Sequence, residues 1–187
     1  MDQPDDSRDY FRALYTVAQA AVSSIELEEV LTNIARSVAE ALHVKACALR
    51  LLGGDHDTLG MRVAFGLSER YLAKGPVDVG HSPLDREALR GHPVVVDDVR
   101  VDPRFQYRDE ARQEGLVSVL CVPLSARGQP IGVLRAYTGE SHQFSERDVE
   151  FVQALADLAA LAIVNARLYE ASRQEFQTTM DLLWGQS

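Results

Sequence analysis

Cys47 and Cys121 are the residues of this chain that could act as a nucleophile or as a redox pair. A reactive thiol needs an accessible position and neighbours that lower its pKa. Each cysteine instead lies within an apolar run, and the two do not form a C-x-x-C motif. This pattern favours reduced, buried thiols that pack as small hydrophobic groups. A small redox enzyme that uses one of these cysteines is the alternative.

The histidines are the next candidates, because imidazole binds metals and haem iron. The chain has five of them, namely His43, His56, His81, His92 and His142. They are separated along the sequence, and no H-x-x-x-H or H-E-x-x-H spacing occurs. His81 and His92 flank a predicted short helix, so either could be a haem ligand; the alternative is a surface or helix-capping role. The sequence predicts no metal site, and it leaves the cofactor unknown.

The adjacent pair Asp97-Asp98 could supply carboxylate chemistry. The pair follows a predicted strand, where an aspartate commonly hydrogen-bonds the local backbone, and we expect that structural role. The nucleophile motif G-x-S-x-G, the Walker loop and the G-x-G-x-x-G fingerprint do not occur in the sequence. The sequence therefore predicts no catalytic residue and indicates a protein that is not an enzyme.

Composition and charge narrow the class of protein further. The 187 residues are 46% hydrophobic and 25% charged, which is typical of one globular domain with accessory helices. The net charge of −9 leaves no basic surface for nucleic acid. No apolar run approaches the roughly 18 residues of a membrane span, and the acidic start MDQPDDSRDY does not resemble a signal peptide. We expect a cytoplasmic protein that binds neither nucleic acid nor membrane.

Hydrophobic periodicity predicts helices at both ends of the chain and strands between them. A helical pattern begins at Ser7, and a strongly amphipathic helix follows from Leu27 to Leu42. Short apolar runs predict six strands, at residues 44–52, 59–65, 77–79, 93–96, 116–124 and 131–137. Strands that are apolar on both faces must be covered on both faces. The prediction is an α+β fold, in which a six-stranded antiparallel sheet carries the N- and C-terminal helices on one face and a cap of loops and short helices, residues 67–115, on the other.

Three segments in series carry a family resemblance. They are GHPVVVDDVRVDPRF (91–105), GLVSVLCVPLSARGQPIGVLRAY (115–137) and FSERDVEFVQALADLAALAIVNARLYE (144–170). In order and spacing they resemble the GAF domain family of small-molecule sensor domains, which is related to PAS domains. The resemblance implies a bacterial regulatory protein in signal transduction, with a small-molecule ligand and a histidine kinase or another signalling output as partner.

The resemblance also implies the organisation of the chain. It covers residues 10–171, which we interpret as the GAF-like domain with its flanking dimerisation helices. Residues 1–9 are predicted to be a flexible tail, and residues 172–187 a C-terminal helical extension.

Residues that give some members of this family their chemistry are missing here. Cyclic-nucleotide-binding members carry Asn-Lys on the last strand and then Phe and Asp-Glu, whereas this strand ends in Tyr137-Thr138 and Val149 follows Asp148. Bilin-binding members attach the pigment through a cysteine that His often follows, and neither cysteine matches. Members that reduce free methionine sulfoxide use exposed cysteines on the cap, and this sequence has none between 48 and 120. A methionine sulfoxide reductase-like enzyme stays an alternative only.

A cap over a sheet can enclose a ligand pocket, and we expect one here. Its candidate lining residues are Tyr71, Leu84, Val96, Asp97, Phe105, Tyr107, Leu116, Ser118 and Leu120. This choice points the Leu116-Ser118-Leu120 face toward the cap, and Val117, Val119 and Cys121 toward the helices. The opposite orientation is the alternative, because the second set is almost equally apolar. Without phosphate-binding residues in the set, we expect a small, largely apolar or aromatic ligand. The alternative is a filled cap that holds no ligand.

The helix predicted from Ser145 is apolar on two faces. One stripe is suited to packing on the sheet: Val152, Leu155, Ala156, Ala159, Ala162, Ile163 and Ala166. Helical spacing continues to Trp184, which makes about 40 residues or roughly 60 Å, longer than one small domain needs.

The second stripe of this helix predicts a homodimer joined by a helical bundle, with Asn165 helping to set its register. The candidate interface residues are Phe11, Leu14, Ala18, Phe151, Leu158, Leu161, Asn165 and Leu168. The alternatives are a monomer whose N-terminal helix covers the second stripe, and a dimerisation scaffold without a ligand.

Overall fold

The order of helices and strands follows the prediction. The computed structural model describes residues 6–23 and 26–184, with the side chains of 9–19 and 26–177. The helices are α1 (Asp6–Ser23), α2 (Leu27–Ala41), α3 (Glu69–Leu72), α4 (Pro83–Ala88), α5 (Arg108–Glu114) and α6 (Glu146–Trp184). The strands are β1 (Ala46–Leu52), β2 (Thr58–Phe65), β3 (Val77–Asp78), β4 (Val94–Val96), β5 (Val119–Ala126) and β6 (Gln129–Tyr137).

The strands form one antiparallel sheet in the order β3-β2-β1-β6-β5-β4. β1 and β2 form one hairpin and β5 and β6 form another, and β1 pairs with β6 at the centre of the sheet. Helices α2 and α6 cover one face, and α1 packs on these two helices. The cap, which carries α3, α4 and α5, covers the other. The predicted α+β fold is therefore confirmed.

The central strands bury side chains on both of their faces, which explains their continuous apolar sequences. On β1, Leu49 belongs to the cluster beneath the helices, whereas Ala48 belongs to the cluster beneath the cap. On β6, Leu134 belongs to the cluster beneath the helices and Val133 to the cluster beneath the cap.

The predicted orientation of the strand at 116–124 is wrong. Leu120 lies in the cluster beneath the helices, and Val119 and Cys121 lie beneath the cap. Leu116 also lies beneath the cap, three residues before Val119. The strand begins only at Val119, so the alternation of faces does not extend back through residues 116–118. An alternation counted from Leu116 therefore assigns every later side chain to the wrong face.

The N-terminal helix packs along the C-terminal one. The ring of Tyr10 stacks on that of Phe151, with 4.2 Å between centroids, and its hydroxyl donates to Asp148. Phe151 is thereby buried within the chain, so it is not on an exposed face as the dimer prediction requires. α1 begins at Asp6, within the predicted tail of residues 1–9. Residues 1–5 of that tail and 185–187 of the predicted extension lie outside the described residues.

α6 has 39 residues, which matches the predicted length. Its start is capped reciprocally, because the Ser145 amide donates to the Asp148 carboxylate at 2.7 Å and the Asp148 amide donates to the Ser145 hydroxyl at 3.2 Å. The predicted sheet-facing stripe lies on the sheet. Its buried members are Val152, Leu155, Ala156, Ala159 and Ile163.

α6 is also the one helix in the described part of the chain that is long and apolar enough to cross a membrane, by length and composition. Residues 146–177 contain an 18-residue window with a mean hydropathy of 1.6. This differs from the sequence expectation that no such segment exists. The buried face of α6 packs in the domain core beneath the sheet and accounts for part of this apolar composition.

Gly132 is a position at which the backbone of β6 lies close to that of β1. A Cβ atom built at this position would lie 2.2 Å from the carbonyl oxygen of Arg50. Replacing Gly132 by alanine is therefore expected to push the central strands apart and to lower the free energy of unfolding by about 1–3 kcal/mol. Urea denaturation followed by circular dichroism measures this change.

Gly60→Ala is the matched control, because Gly60 also lies within a strand but has no atom closer than 4.0 Å to the added Cβ. We expect it to change stability by no more than about 0.5 kcal/mol. Equal effects of the two substitutions would contradict the close approach at Gly132.

Candidate ligand site beneath the cap

The structure brings most of the predicted pocket residues together beneath the cap. Five of them are buried in one cluster, namely Tyr71, Leu84, Val96, Phe105 and Leu116. Tyr107 packs at the margin of this cluster, and its hydroxyl donates to the carbonyl of Pro76 at 2.7 Å. The side chain of Asp97 is exposed, and Leu120 is on the opposite face of the sheet.

The hydroxyl of Ser118 is occupied within the fold. It donates to the carbonyl of Asp97 at 2.7 Å and accepts from the amide of His142 at 3.1 Å. These bonds tie the start of β5 to the end of β4 and to the segment before α6. Ser118 therefore holds elements in place and does not present a free hydroxyl.

Two arginines that sequence reasoning missed lie beneath the cap. Arg50 of β1 is 1% exposed and Arg135 of β6 is 2% exposed. Arg50 pairs with Val133 across the two central strands, so the two arginines are diagonal neighbours on the same face. The signal for them is a single charge inside each apolar strand, in ACALRLL and in IGVLRAY. A charge in a strand with both faces covered must be buried, and so needs a partner.

Arg135 has such a partner in Asp85 of α4. The arginine donates its Nε to Oδ1 of Asp85 at 3.0 Å and its Nη2 to Oδ2, which gives a bidentate pair. The hydroxyl of Ser82 donates to the same carboxylate, and the guanidinium lies 5.5 Å from the centre of the Phe105 ring. Nη1 of Arg135 also donates to the hydroxyl of Tyr137 at 3.3 Å.

Both members of this pair are charged. Burial acts to raise the pKa of Asp85, but the charge and hydrogen bonds of Arg135 outweigh it and hold that pKa below its usual value. Burial acts to lower the pKa of Arg135, but Asp85 raises it well above its usual value. α4 is therefore held against the sheet by a buried ion pair.

Arg50 has no carboxylate partner among the described residues. Its Nη1 donates to the carbonyl of Leu59 at 3.3 Å, and its buried Nε has no hydrogen-bond partner. Burial lowers its pKa. A buried guanidinium without a counter-charge is costly, and no carboxylate among the described residues neutralises the charge of Arg50.

Two further donors in the described residues share this condition. The hydroxyl of Tyr71 and Nζ of Lys74 are buried without hydrogen-bond partners. Nζ lies 4.6 Å from the ring centre of Tyr71 and 4.4 Å from that of Tyr107. Burial, together with repulsion from Arg50 and Arg135, lowers the pKa of Lys74 to about 7. The buried polar cluster beneath the cap thus consists of the side chains of Arg50, Arg135 and Lys74, the carboxylate of Asp85 and the hydroxyl of Tyr71.

A groove of about 190 Å³ reaches this cluster from the surface between α3 and α5. Its lining residues are Arg70, Tyr71, Ala73, Lys74, Glu110, Gln113 and Glu114. Tyr71 and Lys74 thus belong both to the groove and to the buried cluster, which gives the cluster a connection to solvent.

The cysteines are buried free thiols. Burial raises the pKa of Cys47, and burial together with the charge of Asp85 raises that of Cys121. A raised pKa disfavours the thiolate, which is the nucleophilic form. Their environment is therefore the opposite of the one that a catalytic thiol needs.

The remaining candidates do not form a second site. His81 and His92 are exposed, and His81 pairs with Asp78 at 2.9 Å. Asp98 accepts from the amide of Arg100 at 2.9 Å, which confirms the expected backbone role, and its pKa is lowered to about 2 mainly by the side chain of Arg100. Within the described ranges, no group of three or more His, Cys, Asp or Glu residues is placed to hold a metal ion.

An antiparallel sheet with a capped polar site on one face and long helices on the other defines a small α+β domain. A GAF domain family model matches residues 26–163. The chain therefore belongs to the GAF domain family. It is 27% identical over 169 residues to the Nif-specific regulatory protein of Herbaspirillum seropedicae, a match that covers 88% of this chain and 31% of that protein. The chain spans less than a third of the length of the curated relatives that it matches first.

Solved structures share the fold. The GAF domain of a phosphoenolpyruvate-protein phosphotransferase from Coxiella burnetii matches with a TM-score of 0.78 and 25% identity, over 88% of this chain and 98% of that one. Free methionine-R-sulfoxide reductase from Neisseria meningitidis, in complex with its substrate, matches with a TM-score of 0.74 and 22% identity, over 90% of this chain and 96% of that one. The second likeness is one of fold alone. The family and the curated relative indicate a regulatory role in signalling.

Proposed function

We propose that this chain is a non-enzymatic sensory domain, in which a small ligand beneath the cap alters the packing of the helices below the sheet. The observation that carries the proposal is that the same two strands line both layers. β1 directs Arg50 to the cap and Leu49 to the helices, and β6 directs Arg135 to the cap and Leu134 to the helices. A ligand that displaces these strands therefore also displaces the side chains that pack beneath α2 and α6.

The burial of both cysteines supports a regulatory function over the redox alternative, since each thiol is held in its protonated form. The regulatory protein among the curated relatives supports the same choice.

The output surface is proposed to be an exposed apolar face formed by α1 and α6. Its large exposed side chains include Phe11 and Tyr15 of α1, and Leu161 and Leu168 of α6, which are 72%, 58%, 57% and 53% exposed. Leu161 and Leu168 lie on the side of α6 opposite its buried stripe. We propose that this face packs against its copy in a homodimer, with the exposed Asn165 between the two leucines.

Native mass spectrometry of freshly purified protein tests the proposal, because it reports stoichiometry and retained ligand together. We expect the mass of two chains. We also expect a small additional mass that disappears after unfolding and refolding. Hydrogen exchange before and after this stripping is expected to differ in α6 as well as in the cap. A monomer without retained mass, and with unchanged exchange in α6, would remove the proposed function.

A further inference from the structure

We infer that the site beneath the cap takes a small carboxylate, held by the unpartnered Nε of Arg50 and closed over by Tyr71 and Lys74. This inference rests on the proposed function, since it assigns a ligand class to the same site. It also corrects the expectation of a largely apolar or aromatic ligand, which did not take the two buried arginines into account.

The two arginines present the same chemistry, but only one is satisfied. Arg135 uses the edge formed by Nε and Nη2 to hold the Asp85 carboxylate. Arg50 lies beside it on the next strand and donates Nη1 to the carbonyl of Leu59, whereas its Nε has no acceptor. The Nε–Nη2 edge of a guanidinium presents two parallel N–H groups, which match the two oxygens of a carboxylate. The Asp85–Arg135 pair is thus an internal example of the complex that Arg50 lacks.

The unpartnered polar groups beneath the cap, among the described residues, are all hydrogen-bond donors that lack an acceptor. They are Nε of Arg50, Nζ of Lys74 and the hydroxyl of Tyr71. These groups and Asp85 are close enough to perturb one another's ionisation. One anion placed among them would accept their hydrogen bonds and offset the excess positive charge, which no group in the described part of the chain does.

The size of the access favours a small molecule. The groove that reaches Tyr71 and Lys74 has a volume of about 190 Å³. That is below the roughly 300–1,000 Å³ of pockets for drug-sized ligands. A carboxylate with a few carbon atoms suits this space, where Ala73 and the ring of Tyr71 are the apolar parts of the lining. Inorganic phosphate is also an anion that could accept hydrogen bonds from these groups. The binding experiment below distinguishes it from a carboxylate.

Binding is expected to depend on pH through Lys74. The charged groups that act on it are Arg50 of β1, Arg135 of β6, Asp85 of α4 and Glu110 of α5. In the free protein Lys74 loses its proton as the pH rises through about 7. A bound anion favours the protonated form, so binding takes up a proton and weakens with rising pH, by at most about tenfold per pH unit.

Isothermal titration calorimetry on the full chain tests the inference with acetate, pyruvate, succinate and inorganic phosphate as probes. We expect saturable binding of at least one carboxylate with one site per chain. The affinity is expected to fall several-fold between pH 6.5 and pH 8.0, within the linkage limit above. Arg50→Met should weaken binding at least about tenfold, the loss expected when a charge-assisted hydrogen bond is removed. Arg62→Met is the matched control, because Arg62 lies on the neighbouring strand β2 with an exposed pair to Glu28.

Lys74→Met provides a second variant should Arg50→Met fail to fold, and it should abolish the pH dependence while weakening binding. Binding of phosphate alone, or carboxylate binding that neither variant changes, would overturn the inference. Absence of binding to all four probes would overturn it as well. The proposed function would survive each of these results if native mass spectrometry shows a retained uncharged ligand.

Discussion

Replacing Asp85 by alanine is expected to lower the free energy of unfolding by about 3–5 kcal/mol, because it leaves Arg135 buried without its counter-charge. The carboxylate makes a bidentate pair with Arg135 and accepts from Ser82, and the carboxylate and the guanidinium are both inaccessible to solvent. The same substitution should release α4 from the sheet. Urea denaturation by circular dichroism measures the loss, and hydrogen exchange in residues 82–91 reports the local opening.

Asp109→Ala is the matched control, since Asp109 makes an exposed pair with Arg112. Its effect should stay within about 1 kcal/mol. The double variant Asp85→Leu with Arg135→Met removes both charges and should recover most of the loss, because apolar residues of similar size replace a buried ion pair at little cost. A double variant as unstable as Asp85→Ala would contradict the assigned role of the pair.

The Asp85 effect should also depend on pH. Its pKa is lower in the folded protein than the usual 3.8, so the pair contributes fully above that value. The contribution is lost as the pH falls from about 4 through the lowered pKa of the folded state. The stability difference between the wild type and Asp85→Ala should therefore narrow as the pH falls below about 4.

The second large effect is expected at the exposed face of α6. Replacing both Leu161 and Leu168 by glutamate should convert the proposed dimer to a monomer, because it puts like charges where two copies are proposed to bury apolar side chains. A loss of about 2 kcal/mol at each of two interface positions corresponds to a dissociation constant raised at least about 100-fold. Sedimentation equilibrium over a range of concentrations measures this constant.

Arg167→Glu is the control for charge, because Arg167 is exposed on a different side of the same helix and its replacement changes the net charge by the same two units. The control should remain a dimer. A wild-type protein that stays monomeric at every concentration would remove the dimer from the proposed function, while the site beneath the cap would be unaffected.

The fold could be predicted because its signals are local. The alternation and length of the apolar runs gave six strands, and the Ser145–Asp148 cap and the sheet-facing stripe of α6 were visible as spacing. The N-terminal side of α6 was harder to interpret. Phe151 belongs to the apolar stripe assigned to a partner copy, yet Tyr10 covers it within the chain. Periodicity shows that a face is apolar, but it does not show which surface covers it.

The site was predicted less well, for two physical reasons. Faces were counted from Leu116, before the strand had begun, so Leu120 was assigned to the cap and Cys121 to the helices. The polar cluster depends on contacts between distant segments, since Asp85 and Arg135 are 50 residues apart. The sequence does mark Arg50 and Arg135 as unusual, because a charged side chain cannot reach solvent from a strand that is covered on both faces. It does not show that only one of them has a partner.

The length of α6 has a mechanical consequence. Among the side chains of α6 that the structure describes, up to residue 177, Ile163 is the last buried one, and the helix continues to Trp184. At 1.5 Å per residue, about 30 Å of helix extends past its last anchor in the core. A tilt of about 5° at that anchor would sweep the far end sideways by close to 3 Å, with length taken from the same rise per residue. α6 therefore amplifies motion. A shift of a fraction of an ångström where it packs on the sheet becomes a displacement of a few ångströms at its far end.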